Sequence, residues 1–72
     1  MQIQVNGESQ EVSDGLQLLE LISDLKLRAD QIAIELNHEV LRRTAWPATT
    51  LQPGDRVEIV HFVGGGFLSD KL

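Results

Sequence analysis

The chain has 72 residues, enough for one small domain close to the lower limit for folding without metals or disulfides. It has no cysteine, which excludes a disulfide framework, a cysteine-based zinc site and a cysteine nucleophile. Eleven acidic against six basic residues give a net charge of -5, which repels phosphate backbones and anionic lipid. No nucleic-acid role and no membrane-surface role is therefore expected, and a basic patch on a partner protein suits the chain better.

The opening Met1-Gln2-Ile3-Gln4-Val5 lacks the charged region and apolar run of a signal peptide, and no stretch approaches membrane-spanning length, so a cytoplasmic location is expected. Ile3 and Val5 alternate with Gln2, Gln4 and Asn6, the period of a half-buried strand. Asn6-Gly7 is a hairpin signal, because both residues tolerate positive φ. Glu8 to Val12 then returns as a polar edge strand. Asp14 reads as a helix N-cap with Gln17 three residues on. From Leu16 to Leu27 the apolar residues fall at helical spacing, with Leu18, Leu21, Ile22 and Leu25 facing inward.

Ile32, Ile34 and Leu36 alternate with Ala33, Glu35 and Asn37 to give a third strand. Asn37-His38 makes a turn, and Val40-Leu41 a short return strand. Arg42 to Gln52 is irregular, with Pro47 restricting Trp46 to extended geometry and one helical turn fitting Ala48 to Leu51. Pro53-Gly54-Asp55 is a turn, and Arg56 to Val63 is the last and most apolar strand. That strand belongs in the sheet interior beside the first one, with the helix across one face. A mixed sheet of four to five strands packed on one main helix is the α+β arrangement called the β-grasp.

Gly64-Gly65-Gly66 follows directly on the last strand. Glycine gives up the most freedom on folding, so three in a row read as a thin, mobile arm able to enter a narrow channel. The expected organisation is a β-grasp domain over 1–63, a flexible arm over 64–66 and a C-terminal extension over 67–72. Taken alone, the run reads better as a linker to a dispensable tail, and only a resemblance carried by the rest of the domain reverses that.

The segments "MQIQVNGE", "VSDGLQLLELISDL", "IAIELNHEVLRRTAW" and "LQPGDRVEIVHFVGGG", in this order and spacing, resemble the thiamine-biosynthesis sulfur carrier family, ThiS, over residues 1 to 66. That family is ubiquitin-like in fold and ends in Gly-Gly. The resemblance implies a carrier and not an enzyme. In the family an E1-like adenylyltransferase uses ATP to adenylate the terminal glycine carboxylate. Sulfur from a cysteine desulfurase then displaces AMP, and a thiazole synthase consumes the resulting thiocarboxylate. It implies Gly66 as the reacting residue, with Gly65 as second choice, and no cofactor bound to the carrier itself. A carboxylate is a poor electrophile, and adenylation supplies the leaving group it lacks.

The chain departs from the family pattern at Phe67 to Leu72. If Gly66 reacts, this tail is first removed, as ubiquitin precursors are trimmed. Otherwise it is a foreign addition, or it marks a relative that no longer carries sulfur. On the last strand, Val57 and Ile59 are expected to face the helix. That leaves Glu58, Val60 and Phe62 on the other face, either covered by neighbours or exposed as a partner-binding patch. Trp46 is expected to plug the core, and His38 and His61 have no second ligand at metal spacing. Arg42-Arg43 reads as a solvated basic pair. No nucleophile with a base and an orienting group is present. A monomer is expected. The alternatives are a ubiquitin-like binding module that keeps its tail, or a carrier of the molybdopterin type.

Overall fold

The alternating and turn-bounded segments resolve into strands and one α-helix in the computed structural model, which describes residues 1–63 and 67–71. β1 (Gln2–Val5) and β2 (Glu8–Glu11) pair antiparallel. Asn6 and Gly7 join them at φ values of 50° and 83°, the positive pair that a two-residue hairpin turn requires. β3 (Ile32–Leu36) and β4 (Glu39–Leu41) form a second hairpin, turned in the same way by Asn37 and His38 at 52° and 69°. β5 (Arg56–Val63) lies between the hairpins, parallel to β1 and antiparallel to β3. The sheet runs β2-β1-β5-β3-β4, and β6 (Phe67–Lys71) pairs antiparallel with β5 outside that path.

The helix α1 spans Leu18–Asp24, shorter at both ends than the apolar period from Leu16 to Leu27 predicts. Its N-cap is Gln17, not Asp14, and the Gln17 N–H donates to the Glu20 carboxylate at 3.1 Å. Gly15 has a φ of 75°, and the Leu16 carbonyl and Leu18 N–H bond to Leu51 and Thr49. Those bonds hold 16–18 in extended pairing with 49–51, so helix cannot begin before Leu18. Asp14 lies 3.1 Å from the ammonium of Met1 instead, beside Glu11 at 3.0 Å. At the other end Lys26 takes a φ of 59°, Lys26 N–H bonds to Ser23 and Leu27 N–H to Ile22. This is a Schellman ending with lysine where glycine is usual.

Ile3, Val5, Leu18, Leu21, Ile22, Ile32, Ile34, Trp46, Leu51, Val57 and Ile59 form the core between α1 and one face of the sheet. Burial of each aliphatic side chain is worth about 1.5–3 kcal/mol. No polar or charged side chain is buried among the described residues, so apart from the indole N–H of Trp46 this core is held by packing.

The segment after β4 differs from expectation. A 3₁₀ helix covers Arg43–Ala48, with Trp46 and Pro47 inside it, so the helical turn expected at Ala48 to Leu51 comes earlier and 49–51 are extended. Tertiary contacts override the preference of Trp46 for extended geometry. Its ring is buried, its Nε1 donates to the Leu41 carbonyl at 3.0 Å, and the Arg43 guanidinium stacks 4.8 Å from its centroid. Arg43 also donates to the carbonyls of Ala29 and Ile32. It is therefore a structural clip between this segment and the start of β3, while Arg42 remains exposed as expected.

Candidate functional site

β5 is the element that carries the glycine run, and the structure anchors it at three levels. At its start, the Asn37 side chain accepts from the Arg56 N–H at 2.9 Å and donates to Asp55 at 3.0 Å. At its middle, Asn6 Oδ1 accepts from the Ile59 N–H at 2.7 Å while Asn6 Nδ2 donates to the Ile59 carbonyl at 3.3 Å. Toward its end, β6 pairs with it in the register Val60 to Lys71, Phe62 to Leu68 and Val63 to Phe67. Each asparagine comes from a hairpin turn in which its positive φ is required, and each amide replaces a missing strand partner.

Val57 and Ile59 are fully buried beneath the helix, and Glu58, Val60 and Phe62 are half-buried on the opposite face. Register places Ala33 beside Val60, Glu35 beside Glu58 and the exposed Val40 beside Glu35. The outer face thus carries apolar Ala33, Val60, Phe62 and Val40 next to two carboxylates. Gly64, Gly65 and Gly66 lie outside the described residues, between Val63 and Phe67.

Among the described residues no group of three histidine or acidic side chains could hold a metal. His38 is exposed in its turn, and His61 sits on the helix-facing side of β5 opposite Ile32. An open groove of about 350 Å³ lies between the first hairpin and the end of α1, lined by Val5, Asn6, Glu8, Gln10, Leu25 and Leu27. It holds a single carboxylate at its rim. No helix among the described residues is long and apolar enough to cross a membrane.

The chain matches the ThiS family over residues 3–66, nearly all of β1 through the last of the three glycines. It belongs to the ThiS family. The crystal structure of a thiamine biosynthesis protein (ThiS) from Geobacter metallireducens is 45% identical, with a TM-score of 0.81, covering 92% of this chain and 100% of that one. A solution structure of a thiamine biosynthesis protein from the same organism gives 44% identity and a TM-score of 0.75 over 97% of this chain and 94% of that one. Among curated relatives, a thiazole synthase of Magnetococcus marinus is 38% identical over 66 residues, 92% of this chain. The chain spans only 20% of that relative's length. The ubiquitin-like β-grasp reading of the sequence is thus the ThiS fold, and the ThiS match stops at Gly66.

Three features of this ThiS-family chain escaped the sequence reading. The double bond from Asn6 to Ile59 joins residues 53 apart, and only the hairpin signal at Asn6 was visible. The Arg43 clip was hidden behind an ordinary basic pair. The pairing of 67–71 with β5 was signalled only weakly, by apolar Phe67 and Leu68 directly after the glycines.

Proposed function

We propose that this chain is a sulfur carrier of thiazole formation in thiamine biosynthesis, carrying sulfur on the carboxyl group of Gly66. The observation that supports this most is the end of the family match at Gly66, three residues past the most firmly anchored strand of the domain. A rigid head with a slender glycine end can deliver one carbon atom to several active sites, and it needs no cysteine of its own.

The chemistry proceeds in three transfers. Hydrolysis of the Gly66–Phe67 peptide bond adds water and frees the glycine carboxylate together with the tail. An E1-like adenylyltransferase joins that carboxylate to the α-phosphate of ATP, and pyrophosphate leaves. The terminal sulfur of a persulfide formed on a cysteine desulfurase attacks the acyl carbon, and AMP leaves with the bonding electron pair. A thiol then attacks the cysteine sulfur of the resulting acyl disulfide, forms a new disulfide with it, and the thiocarboxylate is released. A thiazole synthase is the consumer, a partner suggested by the thiazole synthases of Magnetococcus marinus and Paramagnetospirillum magneticum that this chain resembles.

Val60, Phe62 and Glu58 are the proposed partner-binding residues. Apolar side chains beside the Glu35 and Glu58 carboxylates suit a partner surface with an apolar centre and a basic rim, in keeping with the net charge of -5. A binding module that keeps its tail is the second reading, and it is favoured by the pairing of Phe67–Lys71 with β5.

ATP–pyrophosphate exchange by the E1-like enzyme tests the assignment. Chains ending at Gly65, at Gly66 and at Leu72 are compared. Exchange supported by the Gly66 form and not by the Leu72 form is expected. Exchange supported by neither shortened form would contradict the carrier reading, and exchange with the Gly65 form alone would move the site by one residue.

A further inference from the structure

Val60 is a register partner of Ala33 in β3 and of Lys71 in β6. A strand has one neighbour on each side, so β6 lies on the edge of β5 opposite β3, which is the edge that β1 uses lower down. Along that edge three partners follow one another. Arg56 and Val57 pair with Gln4 and Val5 of β1, the backbone groups of Ile59 go to the Asn6 side chain, and Val60 onward belongs to β6.

We propose that the β5 edge over Val60–Val63 is a strand-docking site whose resident occupant is the chain's own Phe67–Lys71. Val60-His61-Phe62-Val63 is short, apolar and free of proline, the kind of edge that recruits a strand from another molecule when it is left open. β6 closes it in cis, as an added strand does in peptide recognition by sheet edges. The plug is built to be removable. It makes three register pairs, and the step from Phe62 to Val60 is matched by Leu68 to Lys71, an extra residue that ends the ladder in a bulge.

The consequence for the arm rests on the carrier reading above. Val63 and Phe67 flank the three glycines and are partners of each other, so β6 ties the far end of the arm back to the sheet. While β6 is docked, the chain presents neither a free glycine end nor an open β5 edge over Val60–Val63. Detachment of β6 therefore precedes hydrolysis after Gly66.

Amide hydrogen exchange, read residue by residue by NMR, tests the docking site independently of any sulfur chemistry. The forms compared are the full chain, the full chain with Ser69→Pro, and the chain ending at Gly66. The last retains residues 3–66, the whole of the match to the ThiS family. Ile59 directs its N–H toward Asn6, so by alternation His61 and Val63 direct theirs toward β6, and Glu58 and Val60 toward β3. A proline in the middle of β6 removes an N–H and breaks the ladder. Exchange at His61 and Val63 is expected to accelerate by about tenfold or more in the altered forms, with Glu58 and Val60 unchanged. No acceleration at His61 and Val63 in either form overturns the proposal. Acceleration without adenylation of the Gly66 form refutes the carrier reading and leaves the docking site standing.

Discussion

Asn6 and Ile59, 53 residues apart, share two hydrogen bonds in which one side-chain amide serves as a whole strand partner: the Ile59 N–H donates to Oδ1 at 2.7 Å and Nδ2 donates to the Ile59 carbonyl at 3.3 Å. The φ of 50° at Asn6, set by its hairpin turn, aims the amide at β5. One residue thus closes the first hairpin and locks the strand that leads to the glycines.

Asn6→Gly keeps the turn conformation and removes the amide, leaving two backbone groups of Ile59 without that partner. A loss of about 1–3 kcal/mol in urea denaturation is expected. Asn6→Ala is expected to cost more than Asn6→Gly, because alanine also resists positive φ. Equal stability of Asn6→Gly and the parent would show that water replaces the amide fully.

Lys26 ends α1 in the left-handed region at a φ of 59°, where a Cβ is a burden. Lys26→Gly is expected to raise stability by about 0.5–1 kcal/mol, read as an upward shift of the thermal midpoint.

Removal of the Arg43 clip frees the Ala29 and Ile32 carbonyls and uncovers one face of Trp46. Arg43→Ala is expected to cost about 1–2 kcal/mol and to alter the tryptophan fluorescence. Arg43→Lys should recover little of this, because an ammonium neither stacks nor bridges two carbonyls as a planar fork does.

These cases show why the fold was legible in the sequence and its locks were not. Alternation at Ile3 and Val5, at Ile32 and Ile34, and at Val57 and Ile59 is a local consequence of one buried sheet face, and turn residues mark their own positions. The start of the helix depended on pairing between 16–18 and 49–51, which no local pattern encodes. Trp46 adopted 3₁₀ geometry against its local preference because Leu41 and Arg43 hold its ring. The face bearing Glu58, Val60 and Phe62 followed from period alone, whereas the role of 67–71 depended on which edge of β5 lay open.

The ammonium of Met1 has its pKa raised above the ordinary value of 8.0, first by hydrogen bonding to Glu11 and then to Asp14. A group whose pKa is raised on folding contributes its full stability below the unfolded value and loses it as pH rises through the folded one. Stability is therefore expected to fall as pH increases above 8.0. Glu11→Gln combined with Asp14→Asn should flatten that dependence in urea titrations run from neutral to alkaline pH.

Gly66→Leu is expected to change stability by less than about 0.5 kcal/mol, since the residue lies past β5. Under the proposed carrier function, the same substitution in the chain ending at residue 66 should abolish ATP–pyrophosphate exchange, because a branched side chain widens the arm that the activating enzyme must admit. Normal exchange by this variant would remove the reason for a glycine arm.

Intact-mass spectrometry tests the central claim most directly. The chain is incubated with the E1-like enzyme, ATP, a cysteine desulfurase, cysteine and a thiol reductant, starting from the form that ends at Gly66. The account predicts a species heavier by the replacement of one oxygen with sulfur, absent when ATP is omitted. An unchanged mass in the complete mixture, with an enzyme that adenylates another ThiS protein under the same conditions, would contradict it.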